Sequence, residues 1–349
     1  MYVPVMKNRT VEISVLQHLS SIHVFDGNIF PLIELIQERT RSNNKNSFLQ
    51  DLCKILEEAP SMHVMVDFYK STKLRSTTDA IREYVTMAIR TPDFGIKELS
   101  ALVPYSSRVV PVISYLSESV SLERIKNEAI EIRKMFPRLA FRVKVQEFDL
   151  VFSCIDELIS SDDYLLLDIE SASYTSPVFK KMYKRIADSK KQKGFTSVII
   201  NSHRPDNLTN KEMLDGEPIA DIDNSVKDFY SSPSMNRFDG FGDYACISSA
   251  LPSTGGAISP VGIYYSNENN YFVSYKGRAP QLSEFPMHIA PRIVASEYWD
   301  EFDDNHHGAC PGCQEIKAIV EGEKSGRNQA QWKMITMLHY IYTMYEVNA

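Results

Sequence analysis

Eight short apolar segments recur along the first 250 residues, and their spacing constrains the fold more than any other feature of the chain. Each segment has the length of a strand and is rich in Val, Ile, Leu and Tyr, and amphipathic stretches separate most of them. This alternation is typical of βα units in a parallel sheet. Eight such units predict a closed (β/α)8, TIM-like barrel. The predicted strands are residues 2–6, 29–35, 63–69, 109–115, 139–145, 164–170, 197–203 and 244–248.

The chain has 349 residues, which exceeds the roughly 250 of a bare barrel by about 100. We therefore predict a barrel over residues 1–250 and a C-terminal extension over residues 251–349 that packs on it. The extension contains two strand-like pieces, 262–265 and 271–275, which predict a β-hairpin. Its last segment, 330–345, carries apolar residues on most sides, which predicts a buried terminal helix that closes the barrel from outside.

Composition limits the class of protein. Hydrophobic residues make up 43% of the chain and charged residues 24%, as in a soluble globular protein with a sizeable core. No basic leader precedes an apolar run and no apolar stretch is long enough to cross a bilayer, so we expect a cytoplasmic protein without a membrane partner. The odd count of five cysteines suits a reducing compartment. A net charge of −7 disfavours broad attraction to DNA but leaves nucleic acid open through local patches.

Polar residues lie near the ends of the predicted strands, and the C-terminal ends of barrel strands converge on the mouth where barrel enzymes have their sites. Asp168 and Glu170 share one face of a strand, as Arg142 and Lys144 do on the preceding strand. We expect both acids to face the barrel interior near both bases. The catalytic candidates are Glu34, Asp67, Asp168, Glu170 and His203, and the binding candidates are Lys7, Arg142, Lys144, Asn201, Gly255 and Gly256.

Two interpretations of these residues remain open. In the first, a carboxylate or His203 acts as a general base in a polar pocket, and Lys or Arg binds an anion. In the second, the charges form a buried ion network that holds the strands in register. Similarly, a lone histidine such as His203 is more often structural, and the loop containing Gly255 and Gly256 is either an anion-binding loop or a simple turn.

Residues 204–243 form a polar, acidic and proline-punctuated interval between the seventh and eighth predicted strands. This interval is too long for an ordinary barrel loop. It predicts an excursion that lies over the mouth and controls access to it.

The sharpest local motif is Cys310-Pro311-Gly312-Cys313, preceded by two histidines. A Cys-x2-Cys turn can direct two thiolates to one tetrahedral cation, so we predict a structural zinc ion bound by His307, Cys310 and Cys313. His288, Asp304, Cys246 or His339 could supply the fourth ligand, and a metal-free turn is the alternative. We disfavour a redox disulfide because the sequence does not place the motif at the start of a helix in a thioredoxin-like context.

Several short landmarks resemble the phage and bacterial beta protein family. They are residues 1–7, 30–34, 165–168 and 241–244, His307 with the Cys-Pro-Gly-Cys motif, and residues 325–327 before Trp332 and His339. The resemblance implies a barrel-like protein of phages or defence-associated loci, in which members can accompany a nuclease-like protein. It implies no reaction and no catalytic set.

Three functions follow as hypotheses. The leading one is a barrel protein in phage–host conflict that recognises a ligand or partner at its mouth and works with a companion effector. The second is a hydrolase of a phosphate-containing or nucleotide-like substrate. The third is a structural assembly subunit, which an exposed apolar patch on the hairpin would favour.

Overall fold

The fold is a closed parallel barrel, as the spacing of the apolar segments predicts. The structure is a computed structural model that describes residues 1–39, 45–74, 77–91, 93–202, 204, 208–219, 227, 238–251 and 259–348. The barrel strands are β1 (Tyr2–Lys7), β2 (Leu32–Leu35), β3 (Val64–Phe68), β4 (Val109–Ile113), β5 (Ala140–Lys144), β6 (Tyr164–Asp168), β7 (Thr196–Asn201) and β9 (Gly240–Asp243). Each pairs in parallel with the next, and β9 pairs with β1 to close the wall. The predicted (β/α)8 fold is therefore confirmed.

The eighth barrel strand is displaced from its predicted position. It spans Gly240–Asp243, whereas the prediction placed it at 244–248. Ala245 and Cys246 have φ of 47° and 65°, a left-handed backbone that ends a strand. Glycines occupy the true strand because a Cβ at Gly242 would lie 2.6 Å from the carbonyl oxygen of Val3 on β1. A search for apolar strand residues misses a strand whose tight packing requires glycine.

Helices follow the first six strands, with two after β3, and pack on the outside of the barrel. They are α1 (Thr10–Ser21), α2 (Phe48–Glu58), α3 (Asp79–Arg90), α4 (Phe94–Leu99), α5 (Leu122–Arg133), α6 (Phe148–Leu158) and α7 (Phe179–Lys193). Helix α2 begins with a capping box, in which the side chain of Ser47 accepts from the backbone of Gln50 and the side chain of Gln50 accepts from the backbone of Ser47. Helix α7 ends at Gly194, whose φ of 82° suits a helix C-terminus.

The C-terminal extension contains a small antiparallel sheet and five helices among its described residues. The hairpin strands are β10 (Val261–Ser266) and β11 (Tyr271–Lys276). The helices are α8 (Ala290–Val294), α9 (Glu297–Asp300), α10 (Asp304–Ala309), α11 (Pro311–Val320) and α12 (Gln329–Asn348). All of β10 and most of β11 are buried, so the hairpin does not present the apolar patch that would favour a structural assembly subunit. The division at residue 250 stays a prediction.

Part of the long interval between β7 and β9 joins this sheet. Its short strand β8 (Glu217–Pro218) pairs with β11, and the hydroxyl of Ser274 donates to the carbonyl of Leu214. Half of residues 204–243 lie outside the described residues. The described part is anchored to the extension, and its role in controlling access to the mouth stays a prediction.

Helix α12 is buried on two sides, which explains why its sequence lacks a continuous polar face. Leu338, Tyr340 and Ile341 belong to the barrel core, whereas Trp332 and Ile335 belong to the core of the extension. The helix contacts α1 and β1 as well as β10. It thereby covers the wall where β9 meets β1, the place that the eighth outer helix takes in a (β/α)8 barrel.

Candidate functional site

Charged side chains from five strands meet at the C-terminal end of the barrel. Lys7 on β1 is in register with Glu34 on β2, and Glu34 is in register with Asp67 on β3. Arg142 on β5 and Asp168 on β6 complete the group, and all five residues are buried. The parallel pairing places Lys7, Glu34 and Asp67 side by side, and the Arg142 side chain contacts Glu34, Asp67 and Asp168, so the convergence expected at the mouth is present.

Arg142 is the hub of this group. Its Nη1 donates to Glu34 Oε1 at 2.7 Å and to Asp67 Oδ2 at 3.1 Å. Its Nε and Nη2 both donate to Asp168 Oδ2, at 2.9 and 2.7 Å. Nη2 also donates to the Tyr244 hydroxyl, which itself donates to Glu34 Oε1 at 2.9 Å. Every nitrogen of the guanidinium is therefore engaged, and Arg142 orders three carboxylates instead of awaiting an anion.

Lys7 extends the network to the other oxygen of Glu34. Its Nζ lies 3.0 Å from Glu34 Oε2 and 4.7 Å from the centre of the Tyr244 ring. A buried ammonium is stable here because a carboxylate and an aromatic face surround it. On the far side, the hydroxyl of Ser114, which follows β4, donates to Asp67 Oδ1 at 2.6 Å.

The environment shifts the pKa values of the neighbouring acids Glu34 and Asp67 in opposite directions. Burial alone would raise the pKa of Glu34, but the charges of Lys7 and Arg142 outweigh it and lower the pKa to about 2. Burial raises the pKa of Asp67 above its ordinary value, and the charges of Arg142 and Lys70 only partly oppose this. Burial also lowers the pKa of Lys7, against the attraction of Glu34. Neighbouring acids whose pKa values are shifted apart in this way are common at functional sites.

Glu170 does not join the buried group, and its predicted interior position is wrong. Strand β6 ends at Asp168, and Glu170 has a φ of 52°, so the alternation of strand faces no longer applies. Its side chain is 43% exposed and lies 3.3 Å from Lys144, whose side chain is 27% exposed. These two residues form the rim of the mouth, together with Lys70, which donates to the Ser114 carbonyl.

The remaining predicted site residues divide into two groups. Asn201 is buried at the end of β7, in register with Asp243. His203, Gly255 and Gly256 lie outside the described residues. Sequence reasoning missed Tyr244 as a site residue because it assigned that position to the start of a strand. A tyrosine directly after Gly242-Asp243 at a strand end was the available signal.

A second polar cluster lies in the extension. His306, Cys310, Cys313 and His339 are all buried, and their ligand atoms lie within 4.8 Å of one another. His339 Nδ1 is 3.6 Å from each thiol sulfur. A tetrahedral ion with Zn–S of about 2.3 Å and Zn–N of about 2.0–2.1 Å separates such atoms by about 3.5–3.6 Å. This cluster can hold a metal ion.

The surroundings of both histidines support that interpretation. His339 Nε2 contacts the carbonyl of Tyr265, and His306 Nδ1 contacts the Glu346 carboxylate, so the other nitrogen of each ring is left for a metal. His306 Nε2 is buried and has no hydrogen-bond partner among the described residues. Burial would raise the pKa of the Cys313 thiol, but the hydrogen bond with the Cys310 thiol and the charge of His339 outweigh it and hold the pKa below its ordinary value. A thiolate is the form that binds metal.

Two sequence-based expectations about this motif need correction. His307 is not in the cluster: its Nε2 contacts the Trp299 carbonyl at 3.2 Å, and its ring packs on Trp299. The cluster instead uses His306, one helical turn before Cys310, and His339, one of the four predicted alternatives for the last ligand. The motif also does open a helix, since Cys310 is the N-cap of α11 and Pro311 is its first residue.

The low pKa of Glu34 predicts a specific loss of stability in acid. Because the folded pKa of about 2 lies below the ordinary 4.5, the ion pairs of Glu34 stabilise the fold above pH 4.5. This contribution is lost as the pH falls from 4.5 toward 2. Urea unfolding at pH values above and within this interval measures it. We expect Glu34→Gln to show a smaller loss than the wild type, whereas Asp188→Asn, which alters an exposed acid, shows the full loss. An unchanged loss in Glu34→Gln would contradict the assignment.

Comparison with known proteins places the chain in a family. Among the helices that the structure describes, none combines the length and apolarity needed to span a membrane. No curated protein matches the chain. The family model described as Beta protein matches residues 2–346, nearly the whole chain and both clusters described above. The chain therefore belongs to the Beta protein family.

Proposed function

We propose that this TIM-like barrel protein recognises a ligand or partner at its mouth and acts in phage–host conflict together with a companion effector. The convergence of Lys7, Glu34, Asp67, Arg142 and Asp168 from five strands carries the proposal. Buried ion networks are no more stabilising than well-packed apolar residues, so stability alone gives little reason to place one at the end of a barrel. Barrel proteins use this end for binding and chemistry.

The structure suggests different roles for two layers of residues at the mouth, a buried inner layer and an outer rim. In the inner layer every nitrogen of Arg142 is engaged, so that layer forms a rigid floor. The rim residues Lys144 and Glu170 are partly exposed and are available to a ligand, whereas the Lys70 side chain is only 9% exposed and donates to the Ser114 carbonyl. The floor contains two cations, Lys7 and Arg142, and three carboxylates. The rim does not cancel the excess negative charge of the floor, because Lys144 pairs with Glu170 and Lys70 pairs with Glu128. The balance therefore favours a ligand that brings hydrogen-bond donors or positive charge over a phosphate-containing one.

A binding comparison tests the recognition proposal. Spermidine represents a cationic ligand, and inorganic phosphate and AMP represent phosphate-containing ones; each is titrated into the protein by calorimetry. We expect spermidine to bind, and Glu170→Gln, which removes a carboxylate from the rim, to weaken that binding by about tenfold, the effect of about 1.4 kcal/mol. The matched control Asp188→Asn removes an exposed carboxylate on α7 and should leave binding unchanged.

The outcomes separate the ligand classes. Binding of phosphate or AMP that the rim variant changes would transfer the proposal to a phosphate-containing ligand. Binding that the rim and control variants weaken equally would contradict a site at the mouth. Plating efficiency of phage on the native host, with the same two variants, tests whether the mouth serves phage–host conflict.

One observation favours a second function, hydrolysis of a phosphate-containing or nucleotide-like substrate. The Ser114 hydroxyl is only partly buried and donates to Asp67, whose pKa burial raises. A hydroxyl held by a carboxylate of raised pKa is the arrangement of a nucleophile and its base. Ser114→Ala should then abolish turnover of a nucleotide substrate while leaving its binding intact. Under the recognition proposal, Ser114→Ala leaves the biological activity intact.

We also propose that the metal of the second cluster is zinc, in a structural role. Two thiols and two imidazoles are the donor set of structural zinc sites, whereas magnesium and calcium prefer oxygen ligands. Four protein ligands leave no open position for a substrate, which is typical of structural rather than catalytic zinc. Bound there, zinc would hold the thiolates of Cys310 and Cys313 together with the imidazoles of His306 and His339.

A further inference from the structure

Two consecutive residues of α12 connect the metal cluster with the wall of the barrel. His339 points to the thiols, and its Nε2 contacts the Tyr265 carbonyl on β10. Successive helical residues point about 100° apart, so Tyr340 points elsewhere. Its hydroxyl donates to Asp243 Oδ2 on β9 at 2.6 Å. One helix therefore contacts both the metal cluster and the last barrel strand.

Asp243 links the two strands that close the barrel. Its Oδ1 accepts from the Tyr2 hydroxyl on β1 at 2.8 Å, and its Oδ2 accepts from Tyr340. The residue is buried, and the rings of Tyr2 and Tyr340 meet edge to face. A buried carboxylate that loses a donor is strongly destabilised. The β9–β1 seam therefore depends on the position of α12.

The four ligands come from three helices that pack against one another at the cluster. His306 lies on α10, Cys310 and Cys313 open α11, and His339 lies on α12. Helix α11 can approach α12 closely because Gly312 has no side chain: a Cβ there would lie 2.6 Å from the backbone nitrogen of His339. One bound ion would thus hold three chain segments at a point where backbones touch.

We propose that metal binding by His306, Cys310, Cys313 and His339 holds α12 in place and thereby closes the barrel at the β9–β1 seam through Tyr340, Asp243 and Tyr2. The inference rests on the zinc proposal and extends it. The bound ion would join the three helices around it and would also control closure of the barrel. This role of the metal does not depend on what the mouth recognises. Because metal-binding free energy is also folding free energy for the segments that supply ligands, loss of the metal loosens α10 to α12 and, through the contact of Tyr340 with Asp243, the seam.

The test combines metal analysis with amide hydrogen exchange on the full chain. Purified wild-type protein should contain about one zinc ion per chain. Removal of zinc with EDTA should speed exchange in residues 240–243 and 2–7 by about tenfold or more. Exchange should stay unchanged at the β4–β5 seam, where Val112 pairs with Ala140. Restoring zinc should restore the slow exchange.

Three variants separate the steps of the argument. His306→Ala should lose zinc and speed exchange at the seam, whereas the adjacent His307→Ala should retain zinc. Tyr340→Phe should keep zinc and still speed exchange in residues 240–243, because it removes only the donor to Asp243. This variant leaves the core intact and keeps the test valid if the metal-site variants do not fold.

Specific outcomes overturn the inference. A seam that exchanges at the same rate with and without zinc, or in Tyr340→Phe, shows that the metal and the seam are independent. Zinc-free protein with a Cys310–Cys313 disulfide and wild-type exchange removes the metal site itself. Retention of zinc in His306→Ala but not in His307→Ala restores the ligand set that the sequence alone predicts.

Discussion

Replacing Arg142 with alanine is expected to lower the free energy of unfolding by about 3–5 kcal/mol, because the change leaves three buried carboxylates without their shared partner. Glu34, Asp67 and Asp168 would then repel one another in a region that excludes water. Equilibrium urea unfolding at neutral pH measures the loss. The destabilisation should shrink in acid, where the carboxylates become protonated.

The matched control is Arg82→Ala. Arg82 also pairs with an aspartate, Asp79, but that pair is exposed on α3, with side-chain exposures of 47% and 84%. Exposed pairs contribute about 0.2–1 kcal/mol, so this variant should remain close to the wild type. Equal effects of the two substitutions would show that the network at the mouth is not energetically coupled.

Replacing Gly312 with alanine is expected to destabilise the extension by about 3 kcal/mol, the upper part of the range for overpacking. The added Cβ would lie 2.6 Å from the His339 backbone nitrogen and 2.8 Å from the Ile335 carbonyl oxygen. Backbone atoms in the middle of α12 cannot move aside as the end of a flexible side chain can. Displacement of α12 would also carry His339 away from the thiols, so zinc content should fall together with the melting temperature.

Gly308→Ala provides the control, four residues earlier in the same region. A Cβ at Gly308 meets no atom within 4 Å among the described residues. The residue lies in α10, where alanine is favoured over glycine by up to about 1 kcal/mol. This variant should be neutral or slightly more stable and should retain zinc. A Gly312→Ala protein as stable as Gly308→Ala would contradict the close approach of α11 to α12.

Local pattern alone predicted much of the architecture because the requirements of a buried parallel sheet are local. Strands buried on both faces need continuous apolar segments, and seven of the eight barrel strands carry that signal. The eighth strand does not, because its close contact with β1 demands glycine at 240 and 242. That demand comes from a neighbour more than 200 residues away in sequence. The apolar pattern along the chain therefore does not reveal this demand for glycine.

In the candidate sites, too, the sequence pattern predicts some features and misses others. Residue type and strand position predicted Lys7, Glu34, Asp67, Arg142 and Asp168 at the mouth, because parallel strands bring their ends together. Alternation also placed Glu170 inside, but a left-handed turn after Asp168 takes it to the rim. Such a turn is decided by the local backbone path after the strand, which strand periodicity does not describe.

The sequence by itself determined the fold class, the polar end of the barrel and the pair of thiols, since each depends on residues that are regular or close along the chain. Only the tertiary structure decided which side chains meet. Arg142 has many partners because polar side chains from four other parts of the chain converge on its guanidinium group. His306 and His339, not His307, face the thiols because the packing of α12 against α11 sets which helix faces converge. Spacing limits which residues can meet, and three-dimensional packing selects among them.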